Sequence, residues 1–238
     1  MYANAFCFGE RMKKLLSYFS KGEVVLWFSS LFLITASFLL FDREGYLTLV
    51  ASLIGATSLI FCAKGNPIGP LLMIVFGIIY GIISLTFQYY GEMITYVGMS
   101  VPMSAFSFIA WLRNPYKGKV SEVAISHLTL KDIVGMSVIT LVVTVAFYFI
   151  LGALHTTNLI PSTLSVATSF FAVLLTYKRS PYYALAYALN DIVLIVLWIL
   201  AAMEDISYLS VIICFVAFLA NDIYGFVNWK RMQKRQAE

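Results

Sequence analysis

Apolar residues in this chain run in eight long blocks, covering residues 24–41, 46–63, 68–87, 93–112, 133–154, 159–177, 182–203 and 206–229. Each block holds 18 to 24 residues. At ~1.5 Å per helical residue, that length crosses a hydrocarbon core of ~30 Å, so the pattern predicts eight transmembrane helices and an all-α integral membrane protein. Six of the seven breaks are two to five residues long, which makes consecutive helices antiparallel neighbours. The exception, residues 113–132, is twenty residues long and cationic, and it divides the chain.

Charge orients the blocks. Of 16 Lys and Arg residues, all but Arg43 fall before the first block or after the second, fourth, sixth and eighth. Cationic loops resist translocation, so the even-numbered loops and both termini are expected on the cytoplasmic side of the membrane. The net charge of +4 is spread over five segments and therefore does not point to nucleic acid. Cys7, Cys62 and Cys214 lack metal-ligand spacing and read as packing residues. Ahead of the first block, Met12, Leu15, Leu16 and Phe19 share one helical face, which predicts an interfacial helix or a frayed basic tail.

Comparison across the long loop shows an internal repeat. Blocks two to four carry Pro67 in their first loop and end in Trp111-Leu112-Arg113; blocks six to eight carry Pro181 and end in Trp229-Lys230-Arg231. An odd-numbered unit fused directly to a copy of itself would leave the copy inverted, and block five restores its orientation. The expected divisions are an N-terminal segment with one extra helix (1–45), a three-helix repeat (46–113), a loop with linker helix (114–157), a second repeat (158–231) and a basic tail (232–238). Two parallel units facing one another enclose a cavity, and rocking them alternates access to it.

Buried charge then marks the candidate site. Among the 12 acids only Asp191 and Asp222 lie well inside a block, each preceded by an asparagine, Asn190 and Asn221. Ionisable groups at membrane depth are functional candidates by default. Tyr183, Tyr187, Asn190, Leu194 and Trp198 share one helical stripe, and Phe218, Asn221, Asp222, Gly225 and Trp229 form a second. Tyr183 and Trp229, near block ends, also fit interfacial anchors, and either asparagine could serve as a cross-helix hydrogen bond. In the first unit, where Phe76 aligns with Asn190, the candidates are Tyr80, Ser84, Gln88, Tyr96, Ser100 and Ser104. Gly77, Gly81 and Ser84 also fit close helix packing. Pro102 removes a backbone hydrogen bond and is expected to kink or hinge its helix.

Several chemistries are excluded. There is no mid-membrane lysine for a Schiff base and no GxxxxGK[ST] loop for a nucleotide. The Asn-Asp pairs are not followed by the further acids that would hold magnesium pyrophosphate. With no metal constellation and no nucleophile–base pair, the chain is expected to be neither an enzyme nor a cofactor protein.

Three segments carry a family resemblance: Gly65-Asn66-Pro67-Ile68-Gly69-Pro70, Tyr90-Gly91-Glu92-Met93, and Asn221-Asp222-Ile223-Tyr224-Gly225-Phe226-Val227-Asn228-Trp229. They resemble the Pnu vitamin transporters over roughly residues 46–235. The resemblance implies a SWEET-like fold of three plus one plus three helices. It also implies facilitated diffusion of a vitamin, nicotinamide riboside in the best-known branch, with metabolic trapping in the cytosol. Thiamine, riboflavin or a deoxynucleoside are the alternatives, as is a vitamin-capturing subunit that needs an external ATPase. Asn190 matches the family's buried asparagine, whereas Tyr183 and Ala186 stand near positions where the family commonly has tryptophan. The pyridinium of nicotinamide riboside suits aromatic faces, its carboxamide suits Asn190, and Asp191 or Asp222 could offset its charge. Expected partners are this small molecule and the lipid bilayer, with a homo-oligomer compatible and no nucleic acid.

Overall fold

The computed structural model describes residues 18–86, 90–156 and 158–238, apart from the Glu92 side chain. The residues proposed for an interfacial helix lie outside it except Phe19, and so does Gln88. Eight helices among the described residues are long and apolar enough to span a membrane. They comprise α1 (Lys21–Phe41), α2 (Tyr46–Ala63), α3 (Ile68–Thr86), a composite fourth span, α6 (Leu130–Ala153), α7 (Leu159–Tyr177), α8 (Tyr183–Ala202) and α9 (Leu209–Ala237), which a 3-10 turn over Ile206–Tyr208 precedes. The fourth span joins α4 (Tyr90–Met93), a π-helical stretch over Ile94–Ser100 and α5 (Val101–Leu112). Pro102 sits just past that stretch, and the Val101 N–H reaches back five residues to the Tyr96 carbonyl. The irregularity expected at this proline is thus a widened turn beside it.

Helix starts show why the chain departs from simple apolar counting. Ser20 and Glu23 form a reciprocal capping box on α1, and Thr129 and Asp132 form another on α6. Both helices therefore begin about three residues before their apolar blocks. Each capping acid also meets a lysine: Glu23 with Lys64 at 3.0 Å, and Asp132 with Lys178 at 2.7 Å.

The two lysines are 114 residues apart, and the turns that follow them are built alike. Gly65 N–H donates to the Cys62 carbonyl (2.9 Å), Asn66 to Phe61 (3.0 Å) and Gly69 to Asn66 (2.9 Å). At the same offset Arg179 donates to Thr176 (2.9 Å), Ser180 to Leu175 (3.0 Å) and Tyr183 to Ser180 (3.2 Å). Gly65 and Arg179 both adopt positive φ, +66° and +55°. At Gly65 a Cβ would also lie 2.9 Å from Met232 Cε, so a side chain there would meet the left-handed backbone and need the Met232 tip to move.

Packing follows the same scheme. α2 lies against α3 and α3 against α5; α7 lies against α8 and α8 against α9. Across the middle α2 meets α9 and α7 meets α5. Trp229 Nε1 donates to the Cys62 carbonyl at the end of α2 (2.8 Å), and Trp111 Nε1 donates to the Thr176 carbonyl at the end of α7 (2.9 Å). The two indoles touch, with centroids 5.3 Å apart, and both are fully buried.

Here the reading of Trp229 and Tyr183 as interfacial anchors is corrected. Tyr183 is 2% exposed and packs on Trp229 at 4.8 Å, because both face the opposing helices rather than lipid. α6 contributes few buried side chains, Met136 and Leu151, as suits a connecting helix in lipid.

The twenty-residue loop is structured. Pro115–Tyr116 and Lys119–Val123 pair antiparallel around Lys117-Gly118, whose φ angles of 48° and 77° suit a two-residue hairpin turn. Val123 is fully buried and its N–H donates to Gly65 (2.9 Å), while Gln236 bonds the Ile125 N–H (2.8 Å). Arg235 pairs with Glu122. The basic loops and the C-terminal helix thus knit into one end of the bundle.

Candidate substrate site

Helix α8 sends its polar stripe in two directions. Asn190, buried, faces α7: its Oδ1 accepts from Thr168 Oγ1 (2.8 Å), with Ser165 Oγ at 3.4 Å. Asp191, one residue on, turns about 100° to face α9, where its carboxyl lies against that of Asp222. Both acids are 4% exposed, and Asp191 Oδ2 has no hydrogen-bond partner. Among the described residues no lysine or arginine forms an ion pair with either acid. Two buried carboxyls in contact cannot both ionise, so the pair carries at most about one negative charge, which a cation would offset.

Asn221 takes a different role. Its Nδ2 donates to Ser30 Oγ on α1 (2.8 Å) and to the Ala217 carbonyl (2.7 Å), while Oδ1 is buried without a partner. The amide ties α9 to the extra N-terminal helix, so the cross-helix reading describes it and it stands apart from Asn190. Trp198 lies toward the other end of α8, stacked near Tyr208 at 5.2 Å and packed on the cluster around Phe215 and Phe218.

Between the two halves, a small cavity of about 20 Å³ is lined by Cys62, Met73, Ser104, Ser107, Thr176, Tyr183 and Tyr187. Ser107 Oγ is buried and unpartnered. Ser107 and Thr176 were missed in the sequence because single hydroxyls are common in transmembrane helices; the repeat offset that relates Thr176 to Cys62 was the available signal. The first unit adds an aromatic cluster: Phe76, Tyr80 and Tyr96, with centroids 4.7 to 6.1 Å apart. Phe76 also approaches Phe218 at 6.4 Å, so these rings reach the second unit.

Ser84 is buried, and Ser100 Oγ donates to the Thr95 carbonyl (3.2 Å). A Cβ on Gly77 would stand 2.8 Å from Val101, and one on Gly81 would collide with Val97, so the small residues of α3 serve close packing on the fourth span.

A nucleoside-sized ligand needs roughly 300 Å³ or more. The cavity is far smaller, so admitting such a ligand requires the halves to separate. The paired Trp bonds join α9 to α2 and α5 to α7 beside this cavity, toward the basic end.

An eight-span bundle with buried polar groups at its centre is the architecture of a membrane transporter for a small molecule. The family model described as "Nicotinamide mononucleotide transporter" matches residues 45–231, and the chain belongs to that family. A nicotinamide riboside transporter PnuC of Neisseria mucosa is 27% identical over 220 residues, covering 89% of this chain and 82% of that protein. One from Haemophilus influenzae is 24% identical over 194 residues, covering 81% and 82%. A crystal structure of the vitamin B3 transporter PnuC shares the fold, with a TM-score of 0.77 and 24% identity over 92% of this chain and 94% of that one. The family match begins at residue 45, so α1 lies outside it.

Proposed function

We propose that the chain carries nicotinamide riboside across the bacterial inner membrane by facilitated diffusion, with both termini and the basic end in the cytoplasm. The observation that carries this reading is the Asp191–Asp222 pair, buried without a counter-cation one residue from Asn190. Nicotinamide riboside is a flat cation. Two unit charges about 6 Å apart attract by roughly 3 kcal/mol at an effective dielectric of 20, about a hundredfold in affinity. The mononucleotide adds a phosphate, for which this centre offers no basic residue. The acids therefore favour the riboside, the substrate in the names of both relatives. The Phe76–Tyr80–Tyr96 cluster supplies faces for the ring, and Asn190 an amide for the carboxamide.

Residues 46–113 and 158–231 then act as two parallel units that rock about the site. The matched turns and the reciprocal Trp111 and Trp229 bonds support that division. With the basic end closed, the next state opens it, and phosphorylation in the cytosol would trap the riboside there.

The test is calorimetry of purified protein. Asn190→Ala should abolish riboside binding while leaving membrane expression unchanged, and unchanged affinity would remove Asn190 from the site. Thiamine, also a flat cation, and riboflavin are the competing ligands to include. Uptake by the chain alone in liposomes separates a transporter from a capture subunit.

A further inference from the structure

At the basic end, away from the centre, a cavity of about 540 Å³ opens between the start of α6, the end of α7 and the C-terminal helix. Leu128, Ile133, Phe171 and Leu175 give it an apolar side, while Ser180, Tyr182, Gln233 and Lys230 give it a polar one. Among the described residues no acidic side chain lines it. Lys230 Nζ lies 4.4 Å from the Tyr182 ring centroid and donates to Tyr182 Oη and Gln233 Oε1, both at 3.2 Å. An ammonium has three donors, so one is left for a ligand.

The other half of the molecule shows what such a space holds when filled from within. The two capping boxes align Tyr18 and Phe19 with His127 and Leu128, and the matched turns align Phe61 with Leu175. In the first half Phe19 packs on Phe61 at 5.5 Å and on Trp27 at 5.3 Å. Tyr18 Oη, the polar tip of that cluster, accepts from Asn66 Nδ2 (3.1 Å), and Lys64 lies 4.7 Å from its ring centroid. Aromatic bodies there fill the apolar side and a polar tip sits at the turn. In the second half the matching residues are an exposed His127 and the smaller Leu128 and Leu175, and the space remains open.

We propose that this cavity binds an anionic phospholipid, its phosphate at Lys230 beside Tyr182 and its glycerol–acyl portion along Leu128, Ile133, Phe171 and Leu175. A site that is apolar on one side, basic on the other and bordered by the lipid-facing α6 matches a lipid better than a free anion. Basic pockets between transmembrane helices at a cytoplasmic surface recognise such headgroups. The lipid does for the second half what Tyr18 and Phe19 do for the first: it joins the start of a lipid-facing helix to the turn beside it.

The test is native mass spectrometry of the purified full chain with phosphatidylglycerol, phosphatidylcholine or sodium phosphate added. Wild type should retain phosphatidylglycerol in preference to phosphatidylcholine. Lys230→Gln should hold it about fivefold more weakly, the loss expected for one basic contact, and Lys230→Arg should restore it. A His127→Tyr/Leu128→Phe double variant copies the filled half and leaves Lys230 in place; it should exclude the lipid while raising thermal stability in detergent. Equal retention by wild type, Lys230→Gln and the double variant would overturn the assignment. Displacement of the lipid by millimolar phosphate would make the cavity a free-anion site and overturn it equally.

Discussion

Replacing Trp229 with Phe tests whether the indole bonds hold the basic end shut, as the proposed rocking requires. The substitution keeps an aromatic ring on Trp111 and Tyr183 but removes the Nε1–H that donates to the Cys62 carbonyl at 2.8 Å. With the end closed, that carbonyl would be left without its indole donor in a buried environment; with it open, water can reach the carbonyl. The carbonyl keeps its bond from the Gly65 N–H (2.9 Å), so the loss is that of one hydrogen bond, about 0.5–1.5 kcal/mol, and it acts on the closed state alone. The open-to-closed ratio should then rise about twofold to tenfold.

Cys62 provides the readout. It is 5% exposed, lines the central cavity and sits under the bond that is lost. In a Cys7→Ala/Cys214→Ala background, maleimide labelling of Cys62 from the basic side should accelerate by at least about twofold in Trp229→Phe, the lower part of that range. Trp111→Phe should act similarly through Thr176. The double variant should fall short of the product of the two, because the rings touch. Unchanged labelling in both single variants, with the fold intact by thermal melting, would refute a gate built on these bonds.

Other outcomes follow from the same geometry. Asp191→Asn should weaken nicotinamide riboside binding by roughly tenfold or more in calorimetry, since one carboxylate near a buried cation contributes a few kcal/mol. Glu23→Gln should lower the melting temperature clearly, because Glu23 is 3% exposed and holds both Lys64 and Tyr224. Asp132→Asn should lower it much less, its pair with Lys178 being 26% and 41% exposed. Gly65→Ala should cost about 1–2 kcal/mol, also read by thermal melting, from positive φ and the crowding at Met232.

How much was legible beforehand depends on the kind of signal. The eight spans could be read because a bilayer demands long apolar runs, and that demand survives any detail of packing. The expected repeat rested on Pro67 and Pro181, and the turns beside them carry hydrogen bonds at the same offset of 114 residues. The capping boxes Ser20–Glu23 and Thr129–Asp132 are also written in the chain, but both acids lie outside the apolar blocks, where a count of apolar runs passes over them.

Faces were harder. Periodicity places Asn221 and Asp222 on one stripe without saying which neighbour each meets, and Ser30, which receives the Asn221 amide, is 191 residues away. Tyr183 and Trp229 were misassigned for the same reason: position near a helix end suggests an interface, and only the opposing helix shows burial. The hairpin at Lys117-Gly118 lacked the usual Asn-Gly signal, and its burial depends on Gly65 and Gln236 from distant segments.

The central claim, that a buried acid pair selects a cationic nucleoside, is tested most directly by uptake into liposomes containing this chain alone. Labelled nicotinamide riboside should enter saturably without ATP or an ion gradient, and unlabelled riboside should compete at least tenfold better than the mononucleotide, given the phosphate's charge at an acidic centre. Equal competition by the mononucleotide, or riboside uptake unaltered by Asp191→Asn, would contradict it.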